Sequence, residues 1–174
     1  MQSYMIESHS GGQGGFEIVM RPATNSGSGT TLEVGARIAI DGGAGKLTAD
    51  LFAATARHIT PETWNHVALV VSQDSAVLYL NASAVASASV IGTPWDGSGI
   101  RVGMGEPSAW TGGWFRGSVD ELAVYGKALP HVRIAKHFTS LMYQTEAAPQ
   151  GGCTRYGTHD RCINDRFHDV FCRM

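Results

Sequence analysis

Short apolar stretches separated by small and polar residues make up most of this chain. Three of them, residues 64–71, 76–81 and 115–125, are rich in β-branched and aromatic side chains, and Gly, Asp, Ser and Pro stand between them. This composition, with no helical repeat, predicts β-strands. The polar tetrapeptide Ser72-Gln73-Asp74-Ser75 joins the first two stretches. We therefore expect those two to pair as neighbouring antiparallel strands of a hairpin.

The clearest alternation in the chain lies in residues 31–40. Apolar residues occupy every second position there: Leu32, Val34, Ala36, Ile38 and Ile40. Alternate residues of a strand lie on one face of its sheet, so this pattern predicts a half-buried strand. Weaker patterns predict further strands at residues 4–7, 16–20, 46–53, 82–91 and 100–104. The small side chains of residues 82–91 indicate either close packing or a solvent-facing edge.

Only residues 128–142 have apolar residues at helical spacing, and Pro130 stands where a first turn tolerates it. We expect residues 1–146 to form one β-sandwich domain and residues 147–152, which are small and Pro/Gly-containing, to form a linker. Residues 153–174 are expected to form a C-terminal tail, which contains all the cysteines and four arginines.

Three sequence blocks occur in an order and spacing typical of a known family. They are W-x-H-V-A from Trp64, L-Y-x-N from Leu78, and F-x-G-x-V-D-E-x-x-V-Y-x-x-x-L from Phe115. The chain resembles the laminin-G-like jelly roll of the concanavalin A-like lectin/glucanase superfamily over roughly residues 4–143. The resemblance implies an all-β, two-layer antiparallel jelly-roll sandwich with a short helix near the C-terminus.

The chain departs from that family at two places. Asn81-Ala82 replaces the usual Asn-Gly of a hairpin tip, and the family normally has one or more strands before the counterpart of residues 4–6. We expect either an N-terminally shortened sandwich or a missing strand that is supplied from elsewhere. An open sheet edge of this kind invites a strand from a neighbouring chain.

Composition narrows the choice of partner. Hydrophobic residues make up 43% of the 174 residues and charged residues 16%, and the 22 glycines suit an all-β fold with many short loops. The net charge of −2 gives no electrostatic reason to expect nucleic acid or an anionic membrane. No apolar run approaches the ~18 residues that span a bilayer. Residues 1–20 lack the layout of a signal peptide, so export is expected through a signal already removed or by another route, such as release in a virion.

Catalysis is not predicted. Glucanases of this fold carry two carboxylates at alternate positions of one strand, whereas Asp120 and Glu121 are adjacent and would face opposite sides of a sheet. His58 and His66 have no Ser or Cys nearby in a nucleophile setting.

The resemblance implies one metal ligand. In that family the aspartate of the V-D-E block often helps to bind a structural calcium, together with oxygen ligands from N-terminal loops. Asp120 holds this position, and calcium requires hard oxygen donors. The alternative is that Asp120 caps a turn at the end of its strand through a hydrogen bond.

Three tryptophans stand in or beside Gly-rich loops: Trp95, Trp110 and Trp114. Exposed aromatic rings stack on sugar rings, and the neighbouring Asp96 is suited to bind hydroxyl groups. We predict a glycan-binding site at Trp95, Asp96, Trp110 and Trp114, with coverage of the ends of the core as the alternative role. Trp64 begins a strand and is expected in the core.

The tail offers sulfur ligands or a disulfide. Cys153, Cys162 and Cys172 are separated by loose gaps, and in an oxidising compartment one disulfide with one free thiol is favoured over a zinc site that would add His159 and His168. Unpaired reduced thiols are the third possibility.

These observations predict a non-catalytic recognition module at the cell surface or outside the cell, which binds glycans or protein surfaces. A structural assembly subunit, such as a virion decoration, fibre or surface-array protein, is the alternative, and it is favoured by the incomplete N-terminus and the cysteine-bearing tail. A glycoside hydrolase is the weakest of the three.

Overall fold

The computed structural model describes residues 3–9, 15–22, 32–41, 46–52, 59, 62–90, 99–103, 114–146 and 171–173. Ten strands and one helix lie in these ranges. The strands form two antiparallel five-stranded sheets. The all-β, two-sheet prediction is confirmed.

The first sheet contains the N-terminal half of the described chain. In chain order its strands are β1 (Ser3–His9), β2 (Gly15–Pro22), β3 (Leu32–Asp41), β4 (Lys46–Phe52) and β8 (Ile100–Val102). Their order across the sheet is β4-β3-β2-β1-β8. Strand β1 is therefore flanked on both sides, since β8 pairs with its residues 6–8. Strand β1 is thus not an edge strand among the described residues, and the predicted absence of a preceding family strand stays a prediction.

The second sheet contains β5 (Trp64–Val71), β6 (Ser75–Leu80), β7 (Ser83–Ser89), β9 (Ser118–Asp120) and β10 (Phe171–Arg173). Their order is β7-β6-β5-β10-β9. Helix α1 (His131–Glu146) overlaps the predicted helical segment 128–142, but it begins three residues later and ends four residues later. Strand β10 lies inside the segment expected to be a tail, where no strand was predicted. It pairs with β5 on one side and β9 on the other.

Alternating apolar residues on the facing sides of the two sheets build the core. In β3, Val34, Ala36 and Ile38 are fully buried, as their period-two spacing predicts. Leu78 and Leu80 are likewise buried at alternate positions of β6. Burial of a leucine or isoleucine side chain stabilises the fold by about 1.5–3 kcal/mol, so these few inward positions hold the two sheets together.

The predicted hairpin between β5 and β6 is confirmed. Leu69 lies opposite Leu78 across the pair. Ser72 N–H donates to Ser75 O at 2.8 Å, and the Ser72 hydroxyl lies 2.8 Å from the Ser75 hydroxyl. Serine side chains thus bridge the turn and fix the register of the two strands.

The β6–β7 turn is the place where alanine replaces the usual glycine. Asn81 and Ala82 have φ of 49° and 62°, the left-handed pair that a two-residue hairpin needs. Left-handed backbone costs a non-glycine residue such as Ala82 about 1–2 kcal/mol. Hydrogen bonds hold the turn against this cost. Asn81 N–H donates to His66 O at 2.8 Å, and Asn81 Oδ1 accepts from His66 N–H at 2.9 Å.

Trp64 is not a core residue. Its side chain is 42% exposed, contrary to the expectation. Trp64 alternates with Asn65 along β5, and buried Asn65 and Val67 occupy the alternate, inward positions. The pleat of the strand therefore directs Trp64 to the outer face of the second sheet.

Candidate functional site

Trp114 is the described member of the predicted glycan site, and it lies on the surface at 64% exposure. The next residue, Phe115, packs against the core. Phe115 N–H donates to Gly103 O at 2.9 Å, and Gly103 N–H donates to Met5 O at 2.9 Å. These bonds fix the backbone beside Trp114 to the β8 edge of the first sheet. The exposed indole of Trp114 therefore stands directly beside a residue that is anchored to the core, and we call it the aromatic platform.

Gly103 is required for this connection. Its φ of +82° ends β8 in a left-handed turn, a conformation that side chains with a Cβ rarely adopt. The remaining predicted site residues, Trp95, Asp96 and Trp110, lie outside the described residues, so their grouping with Trp114 stays a prediction.

Four charged residues form a row across the outer face of the first sheet. The strand registers place Arg101 opposite Glu7, Glu7 opposite Glu17, and Glu17 opposite Arg37. The row continues to the backbone of Asp50 on β4. We call Arg101, Glu7, Glu17 and Arg37 the charged row. Because Ile6, Ile18, Ala36 and Ile38 at neighbouring positions face the core, the charged row faces outward.

Each acid of the charged row has an arginine partner. Arg37 Nη1 donates to Glu17 Oε2 at 3.2 Å, and Arg101 Nη1 lies 3.6 Å from Glu7 Oε2. The Glu7 side chain is only 3% exposed, whereas Arg101 is 42% exposed. The arginines therefore offset the like charges of two neighbouring glutamates and leave guanidinium edges at the surface. Sequence alone shows polar residues at these positions but not their alignment, which the register decides.

A second polar cluster stands further along the same outer face. Arg21 pairs with the buried carboxylate of Glu33 and places its guanidinium carbon 3.5 Å from the centre of the Phe52 ring. The ring lies over Gly35, where an added Cβ would come within 2.2 Å of two ring atoms. Gly35 thus makes room for the ring, and the arginine stacks on it through a cation–π contact.

Asp120 holds a turn in this structure. It is exposed, and its Oδ1 accepts a hydrogen bond of 2.8 Å from Glu121 N–H. Glu121 has a φ of 51°, so the carboxylate stabilises a tight turn directly after β9. Asp120 and Glu121 are not alternate residues of one strand, because β9 ends at Asp120.

The described residues do not by themselves form a calcium site. No group of three His, Cys, Asp or Glu side chains suited to a metal occurs among them. The N-terminal loops that would supply further oxygen ligands lie outside the described residues. Calcium binding by Asp120 stays a prediction, and calorimetry with added calcium would test it.

The described part of the chain gives no contact of a cysteine sulfur atom. Cys153 and Cys162 lie outside the described residues, and for Cys172 the structure gives the backbone of β10, where it lies between Asn65 and Val119. The disulfide prediction is therefore untested. Mass spectrometry before and after reduction would test it.

A cavity of about 360 Å³ opens at the side of the sandwich. Ile6, Phe16 and Ile18 line it from the first sheet, residues 67–71 from β5, residues 122–129 from the connection after β9, and Ile134 from helix α1. Its wall is mostly apolar. Leu122, Val124 and Tyr125 on the connection are also exposed, at 37%, 52% and 42%, so an apolar surface continues outward from the cavity.

Three histidines lie where helix α1 contacts the second sheet. We call His66 of β5 and His131 and His137 of α1 the histidine cluster. His66 and His137 are 1% and 4% exposed. Burial, and then the proximity of His137, lowers the pKa of His66 to about 4. Sequence reasoning treated His66 only as a catalytic candidate and did not place His137 beside it, because that contact depends on helix docking.

Comparison with known proteins supports the resemblance. The Laminin_G_3 family model, described as the concanavalin A-like lectin/glucanases superfamily, matches residues 4–135. Comparison with curated proteins gives no match. Among solved structures, the chain is similar to a crystal structure of an S-layer domain-containing protein (residues 221–444) from Clostridium thermocellum ATCC 27405, with 16% identity and a TM-score of 0.41. That alignment covers 79% of this chain and 63% of the other.

Among the described residues, no helix is long and apolar enough to cross a bilayer.

Proposed function

Because the chain belongs to the concanavalin A-like lectin/glucanase superfamily, we propose that it is a non-catalytic recognition module that binds glycans outside the cell or at its surface. The observation that carries this proposal is the exposed Trp114, which stands on a backbone anchored to the core. A large aromatic side chain left 64% exposed at a fixed position is suited to stack on a ligand. Loops at the rim of a rigid sandwich commonly carry such sites.

The charged row supplies polar groups at the same edge. Gly103, which bonds to Phe115, comes two residues after Arg101, so Trp114 and Arg101 share the β8 side of the first sheet. A sugar ring stacked on Trp114 would direct hydroxyl groups towards donors such as Arg101. Trp95, Asp96 and Trp110 would complete the site in this proposal.

The described carboxylates favour binding over hydrolysis. Glycoside hydrolysis needs one carboxyl group as a proton donor and another as base or nucleophile. Glu7 and Glu17 are each engaged by an arginine, and Asp120 holds a turn. None of these three is arranged as a proton donor facing a second carboxylate in a cleft.

Glycan binding is tested by alanine substitution of the platform. The wild-type protein is screened on a glycan array, and the best ligand is titrated by calorimetry against Trp114→Ala. Loss of one sugar–aromatic stack is expected to weaken binding by roughly tenfold, from about 1–1.5 kcal/mol of aromatic contact.

Trp64→Ala is the matched control, because Trp64 is also an exposed tryptophan but lies on the second sheet. It should leave the affinity unchanged. No glycan signal from the wild-type protein, or equal weakening by both substitutions, would reject a glycan site at Trp114.

A second function, self-assembly, is favoured by the exposed apolar side chains beside the cavity. Leu122, Val124 and Tyr125 form a patch of a kind that often marks a protein interface. We propose a second copy of the chain as its partner in that case. Size-exclusion chromatography with light scattering would show a multimer that Val124→Asp dissociates, and a monomer at all concentrations would reject assembly.

A further inference from the structure

We propose that acidification releases helix α1 from the second sheet, with the histidine cluster as the pH-sensitive contact. Imidazole rings contribute to the contact of the helix with β5, β6 and the β6–β7 turn, beside Ile134 and Phe138. Release of the helix would remove Ile134 from the wall of the cavity.

The two buried histidines lie at the centre of this contact. The His66 ring centroid is 6.2 Å from that of Phe138 on the helix. The His137 ring lies 6.2 Å from Tyr125 at a small interplanar angle of 29°. Neutral imidazoles pack well against aromatic rings, whereas two imidazolium ions this deep would be desolvated and would repel each other.

His131 attaches the first turn of the helix to the same sheet. Its Nε2 donates to Ala82 O at 2.9 Å, and its ring stacks on Tyr79 with centroids 5.7 Å apart. The helix is thus held both at the strained β6–β7 turn and at buried His66 near the start of β5. Loss of the contact at His66 would leave the attachment through His131 and the contact at Ile134.

The surrounding charges do not favour imidazolium. His66 is the only titratable side chain of β5. The described side chains of α1 add Arg133 and Lys136, and β6 adds only Tyr79. The connection before α1 contributes Glu121, Tyr125 and Lys127. Positive charges therefore outnumber the one carboxylate in this set.

Acid weakens the docking of α1 because the helix docks while His66 is neutral. A histidine whose pKa falls on docking binds protons more weakly when docked than when released. Docking is therefore strongest above pH 6.5, the ordinary value for His66, and weakens as the pH falls towards about 4. With those two values, docking of α1 should weaken about 30-fold between pH 7.5 and pH 5.

Hydrogen exchange of the full chain tests the proposal. Amides of residues 135–138 in α1 are compared with those of β2 and β3 at pH 7.5 and 5, after correction for intrinsic exchange rates. The helix amides should lose protection about 30-fold. They should also stay less protected than the β2 and β3 amides at both pH values, because α1 opens while the sheets remain folded. Equal protection of the helix and of β2 and β3 at pH 5 would mean that the helix opens only by global unfolding and would overturn the proposal.

Substitutions identify the titrating group. In His66→Gln/His137→Gln the helix amides should respond to pH at least tenfold less than in the wild type. Lys136→Gln, an exposed change on the same helix, should keep the wild-type response. If the double variant does not fold, proton NMR titration of wild-type His66 decides, and a pKa at or above its ordinary value of 6.5 would overturn the proposal.

Discussion

The two sheets of the sandwich bury side chains on their outer faces by different chemistry. The first sheet places ion pairs there, with Glu7 and Glu33 almost fully buried beside arginines. The second sheet covers His66 with a helix and aromatic rings. A histidine whose pKa is lowered by burial makes the folded state less stable in acid. The second face therefore contains the acid-sensitive group of this comparison, His66.

Acidification should produce the largest effect, a loss of unfolding free energy through His66 on the second sheet. Lowering the pH from 7 to 4 should reduce the free energy of unfolding by roughly 3 kcal/mol through His66 alone, because its pKa rises from about 4 to 6.5 on unfolding. Urea denaturation at each pH measures this loss. His66→Gln should begin less stable and lose clearly less on acidification, and an unchanged pH dependence would contradict the assignment to His66.

Adding one methyl group at Gly35, on the first sheet, should reduce the free energy of unfolding nearly as much. Gly35→Ala places a Cβ about 2.2 Å from the Phe52 ring, so the ring and the stacked Arg21 must shift. We expect a loss of about 1–3 kcal/mol in unfolding free energy, measured by thermal or urea denaturation. Gly99→Ala is the control, since nothing lies within 4 Å of its Cβ position. Equal stabilities of the two variants would show that Phe52 does not rest on Gly35.

Substitution of Ala82 in the β6–β7 turn should instead increase the free energy of unfolding. Ala82→Gly removes the strain of a φ of 62° and should raise the unfolding free energy by about 0.5–1 kcal/mol. The hydrogen bond from His131 Nε2 to the main-chain oxygen of residue 82 is retained. Ala84→Gly, in the neighbouring strand, should be destabilising by a similar amount. A loss of stability in Ala82→Gly would show that the turn is not strained.

The smallest effect is expected at the Arg37–Glu17 end of the charged row. Arg37 and Glu17 are 25% and 20% exposed, so a double-mutant cycle of Arg37→Met and Glu17→Gln should give a coupling of only about 0.2–1 kcal/mol. The coupling should decrease at high salt. A coupling several times larger would indicate a rigid network that includes Glu7.

Local sequence patterns were sufficient for much of the framework. The period-two spacing of Val34, Ala36 and Ile38 predicted a buried face because side-chain alternation is a property of any strand. The hairpin at Ser72 and the helix after Pro130 follow from equally local rules. Trp64 was placed wrongly because its size favours the core, whereas the pleat of β5 assigned the inward position to Asn65.

The candidate sites depended on contacts between distant parts of the chain. Glu7 and Arg101 are neighbours only because β8 returns to pair with β1, and strand β10 inserts between β5 and β9. Nothing in a single strand specifies its partner or register. The anchoring of Trp114 likewise required the bond from Phe115 to Gly103.

By itself, the sequence determined most of the strands, the inward face of β3, and the family to which the chain belongs. The tertiary structure decided which charges and which histidines meet, since ion pairing and burial depend on residues that are far apart in the chain. Alternation is set by the geometry of one strand, but the environment of His66 exists only after helix α1 has packed against the sheet.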